Sequence, residues 1–464
     1  MRYTDNKVQE LKIAYIGGGS RGWAWKLMSD LALEPALSGT VYLYDIDHEA
    51  AKSNEIIGNR IHTIEGGRDN FVYKTADTLA EAAANADFVI ISILPGTFDE
   101  MEVDVHAPEE YGIYQSVGDT AGPGGTIRAL RCLPMIEKIA HAVAEHCPDA
   151  WVINYTNPMT MCMRMLYRVF PKIKAFGCCH EVFGTQRFLA QVVTEELGIE
   201  EVLREDIKVN VVGINHFTWL TDAHYRNADI YPLYRRYCEK HWADGIPVSE
   251  EIKKCWMNYF RSEEKVKMDL FLRFGVIAAA GDRHLAEFCP GAWYLKNPET
   301  VAKWGFNLTP VHWRKQDLAS RLEKSSRLCS GEEVFALAPS GEEGVQQMKA
   351  ILGLGDLVTN VNLPNRGQIP NLPFDAVVET NARFTSDDVR PVFAGNVPRD
   401  VLGLMAATVA NQENTVAAVL ERNLDRAFVS FLHDPLMTAG IEDARTLYQK
   451  MLKGTEKYLG DYQK

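Results

Sequence analysis

The sequence contains no run of lysine or arginine, and 49 basic against 62 acidic residues leave a formal charge of -13. Binding a nucleic-acid backbone needs a basic stripe, so nucleic acid is excluded as the main partner. Long apolar runs are missing as well: stretches such as Phe88 to Leu94 and Val276 to Ala280 fall far short of the roughly 20 residues a bilayer-crossing helix needs. No membrane partner is expected. The opening Met1-Arg2-Tyr3-Thr4-Asp5 lacks the basic and then apolar regions of a secretory signal. Cysteine is present nine times, an odd number without framework spacing, which reads as reduced thiols. The vicinal pair Cys178-Cys179 is too strained an arrangement for a routine structural disulfide. A cytoplasmic protein is the expectation, and the absence of repeats, low-complexity tracts or a Pro/Ser linker predicts parts that pack closely.

What is present is an ordinary globular composition, 46% hydrophobic and 24% charged over 464 residues, enough for two or three domains. Short apolar runs at Ile13 to Ile16, Val41 to Tyr44, Phe88 to Ile93 and Trp151 to Tyr155 alternate with helical patterns at Arg21 to Leu33 and Leu130 to Ala144. That alternation predicts an α/β protein with a Rossmann-type, doubly wound parallel sheet. Past residue 200 the pattern loosens into a strand at Ile207 to Ile214, an aromatic-rich helical region from Tyr231 to Phe274 and a helical stretch from Asp400 to Leu432. The expected organisation is therefore a dinucleotide-binding domain over 10–200 and a mixed α+β domain over 201–464, which carries substrate, metal and oligomer contacts, with the site at their junction. Ligands of such sheets lie beyond the carboxyl ends of the strands.

Gly17-Gly18-Gly19-Ser20-Arg21-Gly22 matches G-x-G-x-x-G between a strand and a helix, the context the dinucleotide fingerprint requires. Gly17 permits the tight turn, Gly19 lets the backbone approach a pyrophosphate, and Gly22 is read as allowing close helix–strand packing. Asp45, ending the second strand, can accept both ribose hydroxyls, which favours NAD over NADP; Asp47 reads as the N-cap of a helix from His48 to Arg60. A Gly-rich turn in an ordinary βαβ unit is the plainer alternative. Asn154-Tyr155-Thr156-Asn157-Pro158 ends a further strand and can face the nicotinamide, although Asn-Pro is also a common turn. Cys178-Cys179-His180-Glu181 and Gly213-Ile214-Asn215-His216-Phe217 supply thiolate and imidazole for a divalent metal, and Cys179 and His216 could close one site across two strand ends. Alone, either residue is more often simply packed.

Together with Gly281-Asp282-Arg283 and Val361-Asn362-Leu363-Pro364-Asn365-Arg366-Gly367, these motifs resemble glycoside hydrolase family 4, the NAD- and manganese-dependent glycosidases, from about residue 11 to about residue 450. This NAD-dependent group is an exception to two-carboxylate glycoside hydrolysis. The loop Ser116 to Gly125 and Arg128 to Arg131 are similar to the α-galactosidase-like and α-galacturonidase-like branches, and Cys179-His180-Glu181-Val182 resembles the α-galacturonidase branch most; 6-phospho-sugar enzymes carry other residues after the metal-binding cysteine. The resemblance implies hydride removal from C3 of the sugar by NAD+, loss of the acidified C2 proton, elimination at C1, addition of water and return of the hydride. It assigns Cys179 and His216 to Mn2+, with sugar hydroxyls completing the shell, His180 to the leaving group as acid and Asp282 to the base.

Asn157 is taken as a substrate contact. A uronate needs a cation, and Arg128, Arg131 and Arg283 are the candidates, with Glu181 expected to orient one of them. The implied substrate is a small galacturonide oligosaccharide and the implied assembly a homodimer or homotetramer. Rival readings are an α-galactosidase or α-glucosidase of the same family, a lactate/malate-type dehydrogenase, and an NAD-sensing protein without catalysis.

Overall fold

The computed structural model describes residues 1–462. The chain first lays down β1 (Arg2–Thr4), β2 (Lys7–Ile16), β3 (Leu37–Tyr44), β4 (Phe71–Thr75), β5 (Phe88–Ile91), β6 (Trp151–Asn154) and β7 (Lys174–Gly177). Strands β2 to β7 pair in parallel in the order β4-β3-β2-β5-β6-β7, which is the doubly wound arrangement. Its strand order reverses between β2 and β5, where a ligand crevice opens. Residue alternation explains why such short strands hold: Ala14, Ile16, Val89 and Ile91 enter the core on one face, while Ile13, Tyr15, Phe88 and Ile90 enter the core on the other. With both faces covered, fully burying each large apolar side chain contributes about 1.5–3 kcal/mol.

A second sheet follows, made of β8 (Ile207–Ile214), β9 (Phe217–Tyr225), β10 (Ala228–Asp229) and β11 (Ile277–Ala278). The main sheet does not stop at the boundary read near residue 200. Strands β12 (Leu357–Pro364), β13 (Val377–Thr385) and β14 (Asp388–Pro391) return to it antiparallel, with Asn362 opposite Gly177. The reason is that Ala175, Phe176 and Gly177 are buried, so β7 would otherwise leave an apolar edge with unpaired backbone groups. Other boundaries shift for local reasons. The first helix runs Trp23–Leu33 with Gly22 as its N-cap. The stretch from Asp400 to Leu432 splits into Arg399–Leu420 and Leu424–Leu432, because Arg422 takes φ +53° and the Asn423 side chain caps the second helix. The region from Tyr231 to Phe274 is likewise divided, with regular helices at Tyr231–His241 and Lys265–Phe274.

Candidate active site

The glycine loop leaves β2 at the crevice. Gly17 has φ +94°, and a Cβ there would stand 2.0 Å from the Ser92 carbonyl oxygen, so glycine is required on both counts. Asn54, fully buried, donates to the carbonyls of Gly18 at 2.7 Å and Ser20 at 3.0 Å and so fixes the loop from below. Asp45 accepts from the amides of Gly19 at 2.9 Å and Asp47 at 3.0 Å, which leaves lone pairs for a ribose. Asp47 caps the following helix through the Ala50 amide. Gly22 plays a different part from the one read in the sequence. The backbone of β3 at Leu43 approaches Gly18, whereas a Cβ at Gly22 would meet the Arg321 guanidinium at 2.8 Å.

Cys179 follows β7, and His216 occupies the turn between β8 and β9, whose pairing ends at Ile214 opposite Phe217. His216 takes φ +64°, a left-handed conformation that costs a non-glycine residue about 1–2 kcal/mol, and strain of this kind gathers at functional sites. The turn aims the imidazole inward, where it is 4% exposed. Its Nδ1 lies 3.3 Å from Thr120 Oγ1, and its ring lies 3.8 Å, centroid to centroid, from that of His284. Burial, then the neighbouring His284, brings the His216 imidazole down to about 3, so it is neutral and able to ligate. Asn215 and Glu379 lie beside the Cys179 thiol, which burial and the Glu379 and Glu181 carboxylates push far up. Such a thiol keeps its proton until a cation touches it. The donor set therefore fits a borderline metal. No group of three or more His, Cys, Asp or Glu suited to a metal occurs among the described residues, so water and substrate oxygens would have to complete the shell.

Glu181 begins the helix Glu181–Leu197 and accepts from the Gly281 amide at 2.7 Å, with its other oxygen 3.6 Å from His284 Nε2. Burial would raise its carboxyl, but His284, His216 and His180 bring it down to about 2. It orients a histidine, not an arginine as read in the sequence. His180 stacks near Trp23, and its Nδ1 lies 3.3 Å from Glu342, which raises the imidazole above its ordinary value. Asp282 is not brought to this cluster as a free carboxylate. It is fully buried and its oxygens accept from the amides of Val266 and Lys267, at the start of the helix Lys265–Phe274. The charges it feels are Glu264 and Lys267 at that helix start, not the histidine cluster.

Two family models match the chain, the family 4 glycosyl hydrolase model over residues 12–195 and the family 4 glycosyl hydrolase C-terminal domain over 211–437. The chain belongs to the family 4 glycosyl hydrolases. Among relatives of this glycosyl hydrolase, an α-galacturonidase of Thermoanaerobacterium saccharolyticum is 60% identical over 99% of this chain and 98% of its own. An α-galactosidase of Bacillus subtilis is 29% identical over 92% of this chain and 94% of its own. The crystal structure of Bacillus subtilis lplD, described as a glucosidase, superposes with a TM-score of 0.91 at 52% identity, covering 96% of this chain and all of that one.

In the glycosyl hydrolase site, the arginines read in the sequence separate by what they hold. Arg131 pairs with Asp104 in the core, both nearly inaccessible, and also donates to the Pro95 carbonyl at 2.8 Å. Arg283 is committed to the Asn307 carbonyl at 3.0 Å, the Ser116 carbonyl and Thr309 Oγ1 at 2.9 Å, so it ties two loops together and is not a free substrate contact. Arg128, 6% exposed, makes one hydrogen bond among the described residues, from Nε to the Asn157 carbonyl at 3.2 Å. Asn157 itself turns a buried Oδ1 to no protein partner. The sequence reading missed Asp119, His284 and Glu379. Asp119 feels Arg128, His216 and His284, which hold its carboxyl below the usual range despite burial. Asp119 lies inside the loop Ser116 to Gly125 already singled out, without a role read for it, and His284 stands one residue beyond Gly281-Asp282-Arg283; Glu379, on β13, carried no signal at all.

Proposed function

We propose that this glycosyl hydrolase is an α-galacturonidase acting on small oligosaccharides with NAD and a divalent metal, Mn2+ foremost. Arg128 carries the reading: a buried guanidinium with spare donors, which shares the Asp119 carboxylate with His216 as a charge neighbour, suits a sugar acid rather than a neutral sugar. The identity to the α-galacturonidase, twice that to the α-galactosidase, agrees with it. Gly17, Gly19, Gly22 and Asp45 would hold the dinucleotide at the helix N-terminus, and Cys179 and His216 the metal. When bound, NAD supplies reversible oxidation at C3 and the metal supplies Lewis acidity, which together make the C2 proton removable.

The chain's own residues then divide the proton handling. His284, with Nε2 toward Glu181 and a buried Nδ1 that meets no protein partner, takes the C2 proton in the place read for Asp282. Burial keeps this imidazole neutral, as a base requires. His180, whose imidazole Glu342 raises above its ordinary value, delivers a proton to the leaving oxygen. Asn157 presents its free Oδ1 to a sugar hydroxyl.

The test is turnover of digalacturonate and nitrophenyl α-glycosides with NAD+, Mn2+ and a thiol reductant, in D2O as well as H2O. Galacturonide cleavage with deuterium at C2 and no net NADH is expected. Net NADH formed from a 2-hydroxy acid would restore the dehydrogenase reading, and equal rates on galactoside and galacturonide would remove the uronate.

A further inference from the structure

The cleft holds a guanidinium that, among the described residues, no carboxylate pairs. Arg314 stands on the helix Val311–Ser330, outside every motif singled out in the sequence. Among the described residues its side chain donates no hydrogen bond and joins no ion pair, and its Nε is fully buried without a partner. The acid three residues along, Asp317, is taken by Arg321 at 2.6 Å. Both Arg314 and Arg283 lie over the ring of Phe260, at 5.2 and 4.9 Å, so the two guanidinium groups share one aromatic platform.

The charges around Arg314 identify its neighbours. Burial lowers it, Asp119 opposes that, and Arg128 lowers it further. Arg283 is brought down to about 10, first by burial and then by Arg314. Glu287, the other acid close by, is pushed up to about 8 by burial and holds its proton at neutral pH. Three guanidinium groups, Arg128, Arg283 and Arg314, thus gather around the Asp119 carboxylate, the other ionised acids near them being tied elsewhere, Glu181 to Gly281 and His284 and Asp317 to Arg321. A buried cation without a partner is costly, and a bidentate carboxylate is the ligand that matches a guanidinium fork.

We propose that Arg314 and Arg128 together bind the carboxylate of the sugar, with Arg314 the residue that sets the preference for a uronide over the neutral sugar. The inference rests on the galacturonidase reading and deepens it. Arg131 and Arg283 are spent on Asp104 and on loop carbonyls, so their donors are not available to a ligand. Arg128 approaches from the helix Gly122–His146 and Arg314 from the helix Val311–Ser330, so a carboxylate between them would join two separate elements.

The experiment compares wild-type protein with Arg314→Met and Arg314→Lys, each loaded with NAD+ and Mn2+, on paired α-D-galacturonide and α-D-galactoside substrates. Arg314→Met should lose on the order of 100-fold in kcat/KM on the galacturonide while the galactoside rate holds or rises; Arg314→Lys should recover part of the loss. Thermal shift supplies a reading independent of turnover. Free galacturonate, and not galactose, should raise the Tm of the wild type, and Arg314→Met should abolish that response. If both substrates fall in the same proportion, or galacturonate still stabilises Arg314→Met as it does the wild type, the assignment of Arg314 is overturned. Wild-type protein inert toward every galacturonide would instead overturn the functional reading beneath it.

Discussion

His216 shows how much one residue's backbone can reveal. Glycine or asparagine would suit the left-handed turn position better, yet a histidine holds it at φ +64° with its ring buried against His284. Cys179 is equally unsuited to its surroundings by itself, since two carboxylates and burial oppose the thiolate. The cation proposed for the pair would resolve both conflicts. Cys179→Ser and His216→Ala should therefore lose metal-dependent turnover by several orders of magnitude and retain bound NAD, because the glycine loop is braced by Asn54 and Asp45, not by the metal pair. Metal content of the purified variants and NAD titration by fluorescence check the two halves separately. Full activity in either variant without stoichiometric metal would remove the pair as ligands.

At the level of the elements, Asp282 ties the short helix Asp282–Glu287 to the start of the helix Lys265–Phe274. Asp282→Ala should then cost about 0.5–2 kcal/mol, the usual worth of a side chain that satisfies helix-start amides, whereas Asp282→Asn, which keeps one of the two acceptor oxygens and turns an NH2 to the other amide, should recover part of that stability and retain most of the activity. Denaturation midpoints and kcat of the two variants separate this role from that of a base, for which Asn would be as damaging as Ala. The strands of the parallel sheet were legible from their apolar runs because both faces are buried, and the glycine loop because only glycine tolerates its contacts. The direction of the Asp282 side chain was not legible. It depends on where the helix Lys265–Phe274 starts, and no local pattern fixes that packing. Arg314 escaped notice for a similar reason: one arginine on a charged helix looks like a solvated face until Phe260, Arg128 and Arg283 are brought around it.

Over the whole molecule, burying acids behind the cleft leaves a pH signature. Glu287 is 1% exposed and accepts from the amides of Val117 at 2.7 Å and Gly118 at 2.9 Å. Those two amides lower its carboxyl, yet burial outweighs them and holds it at about 8. In the unfolded chain the same group ionises near its ordinary value of 4.5. Between these two values the folded protein keeps a proton that the unfolded chain has lost, so stability falls as pH rises through that window and levels off above about 8. The opposing group, His216, is neutral when folded and adds a rise in stability with pH, but that rise is complete by its ordinary value of 6.5. Asp282 and Glu379, which burial pushes up to about 7, slope the same way as Glu287 up to that pH, so a variant is needed to isolate the Glu287 share. Glu287→Gln keeps an acceptor for the two amides and cannot ionise, so its advantage over the wild type should grow from pH 5 to pH 8. Melting curves of the two proteins across that range check it, and parallel curves would mean that Glu287 is ionised in the folded protein and that the charge surplus around Arg314 is smaller by one.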